Sequence, residues 1–162
     1  MSEKTIEQQG VTVDEDEFVP DYLLYLLAAA SDAASAQFHA HVRTRGLRVP
    51  EWRVLACLYD RDGAMITRLA RFSLIEQSRL TKIIIQMGER GLIRRQGDPE
   101  DRRRVRVYLT EEGRKLAGEL VADARVHERE LLQMLAGGDG ARIKQSLASL
   151  IERLSPPKEN EA

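Results

Sequence analysis

Between residues 76 and 109 the hydrophobic period of the chain switches from that of a helix to that of a strand, and this switch limits the fold more than any other feature. In EQSRLTKIIIQMGERG, residues Leu80, Ile83, Ile84 and Met87 fall at i, i+3, i+4 and i+7, one apolar stripe of a helix over about 76–90. Winding that helix at about 100° per residue places Ser78, Thr81, Lys82, Ile85 and Gln86 on the opposite side, with Arg79 on a flank. Gly91 then stops it. LIRRQ and VRVYL read as two strands around GDPEDRR, because Val105, Val107 and Leu109 alternate with Arg104, Arg106 and Tyr108. The connection is longer than a two-residue turn, so its tip projects.

Upstream, TRLARFS reads as a short helix with Thr67 as N-cap and Leu69 and Ala70 inward. An apolar link, Ala64 to Ile66, joins it to LRVPEWRVLACLYDRDG. There Pro50 stands in a first turn, Trp52, Leu55, Ala56 and Tyr59 recur at helical spacing, and Asp62-Gly63 turns the chain. A longer helix runs from Pro20 to Gly46, Pro at its start and Gly at its stop. Its first half is apolar nearly all round and needs burial on more than one side, as at a subunit interface. After the second strand, Thr110 caps a helix with Glu111 and Glu112 in its first turn, where the dipole favours acids. It runs to about Leu135, roughly 40 Å, too long to bury on a domain this small. Gly137 to Gly140 turn the chain, Ala141 to Leu154 form a last helix, and Ser155-Pro156-Pro157 stop it.

The formal net charge of -1 hides a strong asymmetry. Arg68 to Arg106 carry 11 basic residues against 5 acidic ones, whereas Met1 to Val19 hold six acids and one lysine in a flexible, apolar-poor arm. A two-helix unit whose second helix shows a polar, basic outer face has the layout of a helix-turn-helix reading duplex DNA. The competing reading of the charged loop is a solvated turn with ion pairs worth about 0 to 1 kcal/mol each. Enzyme chemistry finds no support: there is no phosphate-cradling Gly-rich loop, no G-x-S-x-G and no metal-ligand cluster, and no cofactor is implied. His39 and His41 stand about 200° apart around their helix and cannot grip one metal together. Cys57, the single cysteine, is either a small core hydrophobe or a redox sensor, and its solitude points to a reducing, cytoplasmic setting. No window is long and apolar enough for a membrane span.

The run GLIRRQGDPEDRRRVRVYLTEEGRKL resembles the winged helix-turn-helix of the MarR family of bacterial transcription regulators, through Gly91, Leu92, Asp98, Asp101, Arg102, Arg103, Leu109, Thr110 and Gly113. The resemblance implies a mainly α fold with a small β-hairpin wing, flanked by N- and C-terminal dimerisation helices. It divides the chain into a flexible acidic arm (1–19), an N-terminal dimerisation helix (20–47), a DNA-binding region (48–109), C-terminal dimerisation helices (110–155) and a tail (156–162). Within the DNA-binding region the recognition helix spans about 76–90 and the wing about 93–109. A homodimer on a pseudo-palindromic operator is expected, a repressor released by a small, aromatic or acidic ligand. The turn from Phe72 to Glu76 departs from helix-turn-helix usage by lacking glycine, and Glu76 is either a cap or a modifier of base preference.

Candidate DNA contacts are Gln77, Ser78 and Arg79 at the start of the recognition helix, Thr81 and Lys82 along it, and Gln86 as an amide partner for adenine. Ile85 either meets a thymine methyl or packs under the wing. The resemblance puts Arg102 at the wing tip, in the minor groove, with Asp98 and Asp101 steadying the loop and Arg103 and Arg104 on phosphate or an internal carboxylate. Phe38, His41, Arg43 and Trp52 sit on the two helices that would flank the family's effector pocket, and the competing reading for them is interface packing and surface charge. Two other functions stay open, a redox-responsive regulator acting through Cys57 and a winged-helix protein-interaction module.

Overall fold

The computed structural model describes residues 17–97, 104–135 and 139–155. Its elements are α1 (Phe18–Asp21), α2 (Leu23–Thr44), α3 (Val49–Asp60), β1 (Ala64–Met65), α4 (Ile66–Ser73), α5 (Gln77–Glu89), β2 (Ile93–Gly97), β3 (Val105–Leu109), α6 (Glu111–Met134) and α7 (Gly140–Leu154). The chain divides into two compact units, one up to Gln37 and the other from Phe38 onward.

The first unit departs from the single helix expected from Pro20. Pro20 lies inside α1, where its missing N–H is one the first turn leaves unused anyway. Tyr22 is extended (φ -70, ψ 121) and breaks the helix, and its carbonyl accepts the first bond of α2 from the Leu26 N–H at 3.0 Å. The side chains of Phe18, Leu23 and Leu24 are more than half exposed.

In the second unit the three strands form an antiparallel sheet in the order β1-β3-β2, with Ala64 opposite Val107, Ile93 opposite Leu109 and Gly97 opposite Val105. The core gathers Val54, Leu55 and Leu58 of α3, Leu69 of α4, Leu80, Ile83, Ile84 and Met87 of α5, Val107 and Leu109 of β3, and Ala117 and Leu120 of α6. The helical stripe read for α5 is therefore its buried face. On α3 the buried set is Glu51, Val54, Leu55 and Leu58, while Tyr59 is 39% exposed, so the inward face is turned from the Trp52–Tyr59 stripe.

Two local expectations are corrected. The link at Ala64 is a strand, and because its pairing with β3 holds the chain extended through Met65, α4 starts at Ile66 with Met65 as N-cap. Thr67 is thus inside the helix. At its other end α4 closes on Leu74, at φ 56 and ψ 42, a left-handed conformation that glycine would adopt without strain. Gly91 (φ 72) ends α5 in a Schellman turn: its N–H donates to the Gly88 carbonyl at 3.0 Å and the Leu92 N–H to Met87 at 3.1 Å. Thr110 caps α6 as read, its hydroxyl oxygen accepting the Gly113 N–H at 3.0 Å.

Candidate nucleic-acid interface

Helix α5 turns its apolar stripe inward, so Gln77, Ser78, Arg79, Thr81, Lys82, Ile85 and Gln86 all lie at the surface. Its start is organised by Glu76, whose carboxylate accepts the Ser78 N–H at 2.9 Å, the Arg79 N–H at 3.1 Å and the Ser78 hydroxyl. Glu76 is therefore the N-cap. These bonds, from the Ser78 side chain first and then the two backbone N–H groups, hold its carboxyl below the usual carboxylate range. Ser78 accordingly spends its proton on Glu76, and Thr81 donates to the Gln77 carbonyl at 3.0 Å, which leaves both hydroxyls as acceptors toward a ligand. Arg79 and Lys82 carry the exposed positive charge of this face. Ile85 keeps 38% of its surface exposed among these polar neighbours.

The far end of α5 is tied to the α2–α3 junction through Glu51, which is only 1% exposed. Glu51 accepts the Arg48 N–H at 2.7 Å, the Arg48 guanidinium at 3.0 Å and the Arg90 guanidinium at 3.0 Å. Arg90 also donates to the Gly46 carbonyl at 2.9 Å, and Arg48 reaches the Gln86 amide oxygen at 2.6 Å. Burial pushes the Glu51 carboxyl up, but hydrogen bonds from the Arg48 side chain and backbone and the charges of Arg48 and Arg90 outweigh it and leave the carboxyl below its ordinary value. Sequence reading missed Glu51, Arg48 and Arg90 as a group. The available signal was local: an acid three residues after Arg48, at the capping-box position beside Pro50.

On the hairpin, Arg94, Gln96, Tyr108 and Arg106 share one face through the pairs Arg94–Tyr108 and Gln96–Arg106. The Arg94 guanidinium lies 4.5 Å over the Tyr108 ring and donates to Gln96 at 3.2 Å, and Arg106 donates to the Gly63 carbonyl at 3.2 Å. Arg94 and Arg95 add exposed cations that the candidate contacts omitted. Arg104 is exposed at the root of the loop, whereas Asp98, Asp101, Arg102 and Arg103 lie outside the described residues.

Of the four pocket candidates, three meet. Phe38 stands edge-on to Trp52 (centroids 5.3 Å apart) and 6.1 Å from His41, and His127 of α6 stacks on it at 5.7 Å. His41 pairs with Asp123 at 2.8 Å, a partner sequence reading missed together with His127 because both lie more than 80 residues away along the chain. Arg43 is exposed, and no described ring contact or ion pair joins it to the group. Cys57 lines a separate open cleft of about 230 Å³ between α3 and α4, with Asp60, Arg61, Arg68 and Phe72. Burial first, and then the charge of Asp60, pushes its thiol up. Among the described residues no cluster of three or more His, Cys, Asp or Glu side chains forms a metal site, and no helix is long and apolar enough to cross a membrane.

A family model described as MarR family matches residues 47–105, from the α2–α3 junction into β3. The transcriptional regulator HosA of Escherichia coli O111:H- is 31% identical over 105 residues, 65% of this chain and 78% of that protein. Among solved structures, the MarR family transcriptional regulator SPO1453 of Silicibacter pomeroyi DSS-3 is 60% identical, covers 86% of this chain and 100% of its own, and superposes with a TM-score of 0.79. BpsR of Bordetella bronchiseptica, whose DNA binding is regulated by 6-hydroxynicotinic acid, is 26% identical over 78% of this chain and 96% of its own, with a TM-score of 0.69. A capped, outward-facing basic helix, a hairpin built on its C-terminus and these likenesses agree: the chain belongs to the MarR family of winged helix-turn-helix, DNA-binding transcription regulators.

Proposed function

We propose that the protein works in the cytoplasm as a homodimeric repressor on a pseudo-palindromic operator, and that a small aromatic or acidic ligand releases it. The outward face of α5 carries this reading: Ser78 and Arg79 for base edges or phosphate, Lys82 for phosphate, and Gln86 for an amide pairing with adenine. The wing arginines Arg102, Arg103 and Arg104 extend the contact, with Arg102 in the minor groove. Dimerisation is supported by apolar surface that a single chain leaves open. On α7, Ile143, Leu147, Ile151 and Leu154 recur along one stripe and are 38 to 75% exposed, and α1 and the start of α2 expose Phe18, Leu23 and Leu24. A two-fold protein of this kind places its reading helices roughly 34–36 Å apart, one turn of DNA. Seated there, it covers the duplex against other proteins, which is repression.

The ring cluster of Phe38, Trp52, His41 and His127 supports the ligand reading, since an aromatic acid would find stacking partners and a polar His–Asp pair together. Regulation of BpsR by a hydroxylated aromatic acid is in keeping with it. A thiol whose pKa is raised lacks the thiolate character of a redox sensor, so the ligand is the better trigger.

Selecting bound duplexes from a random pool, with and without aromatic acids, tests operator and effector together. Palindromic half-sites and loss of binding with one of the acids are expected. Log affinity should fall steeply with log salt, and Arg79→Ala or Lys82→Ala should each lower that slope by about 1. An unchanged slope in both variants refutes this face as the reader.

A further inference from the structure

We propose that Arg48 and Glu51 are positioning residues for base reading: they hold the side-chain amide of Gln86 in a fixed orientation on the DNA-facing side of α5. This rests on α5 being the reading helix. The chain of contacts runs from inside to outside. The Glu51 carboxylate is buried and cannot move without abandoning the Arg48 N–H at 2.7 Å, the Arg48 guanidinium at 3.0 Å and Arg90 at 3.0 Å. It therefore clamps the Arg48 guanidinium, whose side chain is otherwise 58% exposed, and the clamped guanidinium donates to Gln86 Oε1 at 2.6 Å.

Arginine has only donors, so the amide atom facing it is the oxygen and the Nε2 end points away. A free glutamine at the surface samples many rotamers and loses that freedom on binding. Here three torsions are restrained beforehand. The outward end is a donor for N7 of a purine, and the oxygen keeps a second lone pair for the N6 amino group of adenine, so adenine is the base this arrangement fits. Because Arg90 ties the same carboxylate to the C-terminus of α5, the anchor moves with the helix it serves.

The experiment is a selection of duplexes from a random pool with the full-length parent protein and with Arg48→Ala, Glu51→Gln, Gln86→Ala, Arg48→Ala/Gln86→Ala and Arg79→Ala, with melting curves alongside. Gln86→Ala is expected to flatten the preference at one base pair of each half-site by about tenfold. Arg48→Ala and Glu51→Gln should flatten that same pair, and the double variant should do no more than Gln86→Ala alone. In Arg48→Ala the Glu51 carboxylate keeps the backbone N–H of residue 48 and the Arg90 guanidinium as partners, so this variant stays folded, as its melting curve should show, and it decides the matter even where Glu51→Gln does not fold. A uniform loss of affinity in Arg48→Ala with every base preference retained would make Arg48 a phosphate contact and overturn the proposal. Gln86→Ala leaving all preferences intact while Arg79→Ala weakens binding also overturns it, yet leaves α5 as the reader. If every variant binds as the parent does, α5 itself is not the reader.

Discussion

Replacing Gly113 by alanine sets helix propensity against packing, and the two have opposite signs. Gly113 lies in the first turn of α6, where alanine alone would stabilise by about 1 kcal/mol. A Cβ built there, however, stands 1.9 Å from the Leu92 carbonyl oxygen and 2.9 Å from its carbon, closer than the 3.0 Å that real Cβ atoms respect. The backbone must give by roughly 1 Å, a displacement of the kind that costs about 1–3 kcal/mol in a packed site. It cannot give freely. The Leu92 oxygen accepts the Thr110 N–H at 3.1 Å, and the Thr110 hydroxyl oxygen accepts the Gly113 N–H at 3.0 Å, bonds worth about 1 kcal/mol each. With both bonds lost the balance is a net destabilisation of about 2–4 kcal/mol, read as a urea midpoint lower by roughly 1–2 M at unchanged slope. Gly118→Ala is the control, because its new Cβ meets only the Tyr59 ring at 3.3 Å, a half-exposed side chain able to yield. A midpoint for Gly113→Ala equal to or above the parent's would refute the reasoning, since it would show that α6 is not seated on the Leu92 carbonyl.

Leu74→Gly should stabilise by about 0.5–1 kcal/mol, because a left-handed leucine costs about 1–2 kcal/mol and glycine's extra unfolded-state freedom returns part of it. Its side chain is 80% exposed and has little packing to lose, so a lowered melting temperature would count against strain at this turn. The depressed Glu51 carboxyl stabilises the fold above the ordinary carboxylate range, and that stability is lost as pH falls through the folded-state pKa. Melting followed from pH 7 to pH 3 should therefore show a steeper acid decline in the parent than in Glu51→Gln, and parallel curves would contradict the assignment. With its thiol pushed up, Cys57 should alkylate more slowly near neutral pH in the folded protein than after denaturation, and equal rates would overturn that reading.

What could be read from the sequence was what is periodic and local. Leu80, Ile83, Ile84 and Met87 identify the inner face of α5, and therefore its outer face, because both follow from 3.6 residues per turn. Val105 to Leu109 mark β3 for the same reason, with a period of two. β1 escaped because two residues hold no period, and its strand character exists only through pairing with β3. The break at Tyr22 escaped because the Pro20 signal for a helix start is met by α1 instead. Glu51 shows the larger difficulty. A carboxylate near a helix start reads as solvated, and only the fold brings Arg90 from 39 residues away to bury it. The ring cluster was half visible: Phe38, His41 and Trp52 come from neighbouring helices, but His127 and Asp123 come from α6, and the exposure of Arg43 follows the helical period, which sets it about 200° around α2 from His41.

A single residue, Thr110, separates β3 from α6, and the Leu92 carbonyl is held at the same point from the side of β2. Because Thr110 is bonded on both sides, to the Leu92 carbonyl and to the Gly113 N–H, the hairpin and the long helix are coupled as the two arms of a crank. The 24 residues of α6 make an arm of about 36 Å, so a rotation of about 5° at Thr110 sweeps the far end through about 3 Å. The root of the hairpin, beside the pivot, travels well under 1 Å in the same turn. Displacement applied at the far end is therefore geared down into a small, stiff rotation of the hairpin, and a force on the hairpin is geared up into visible travel at the other end.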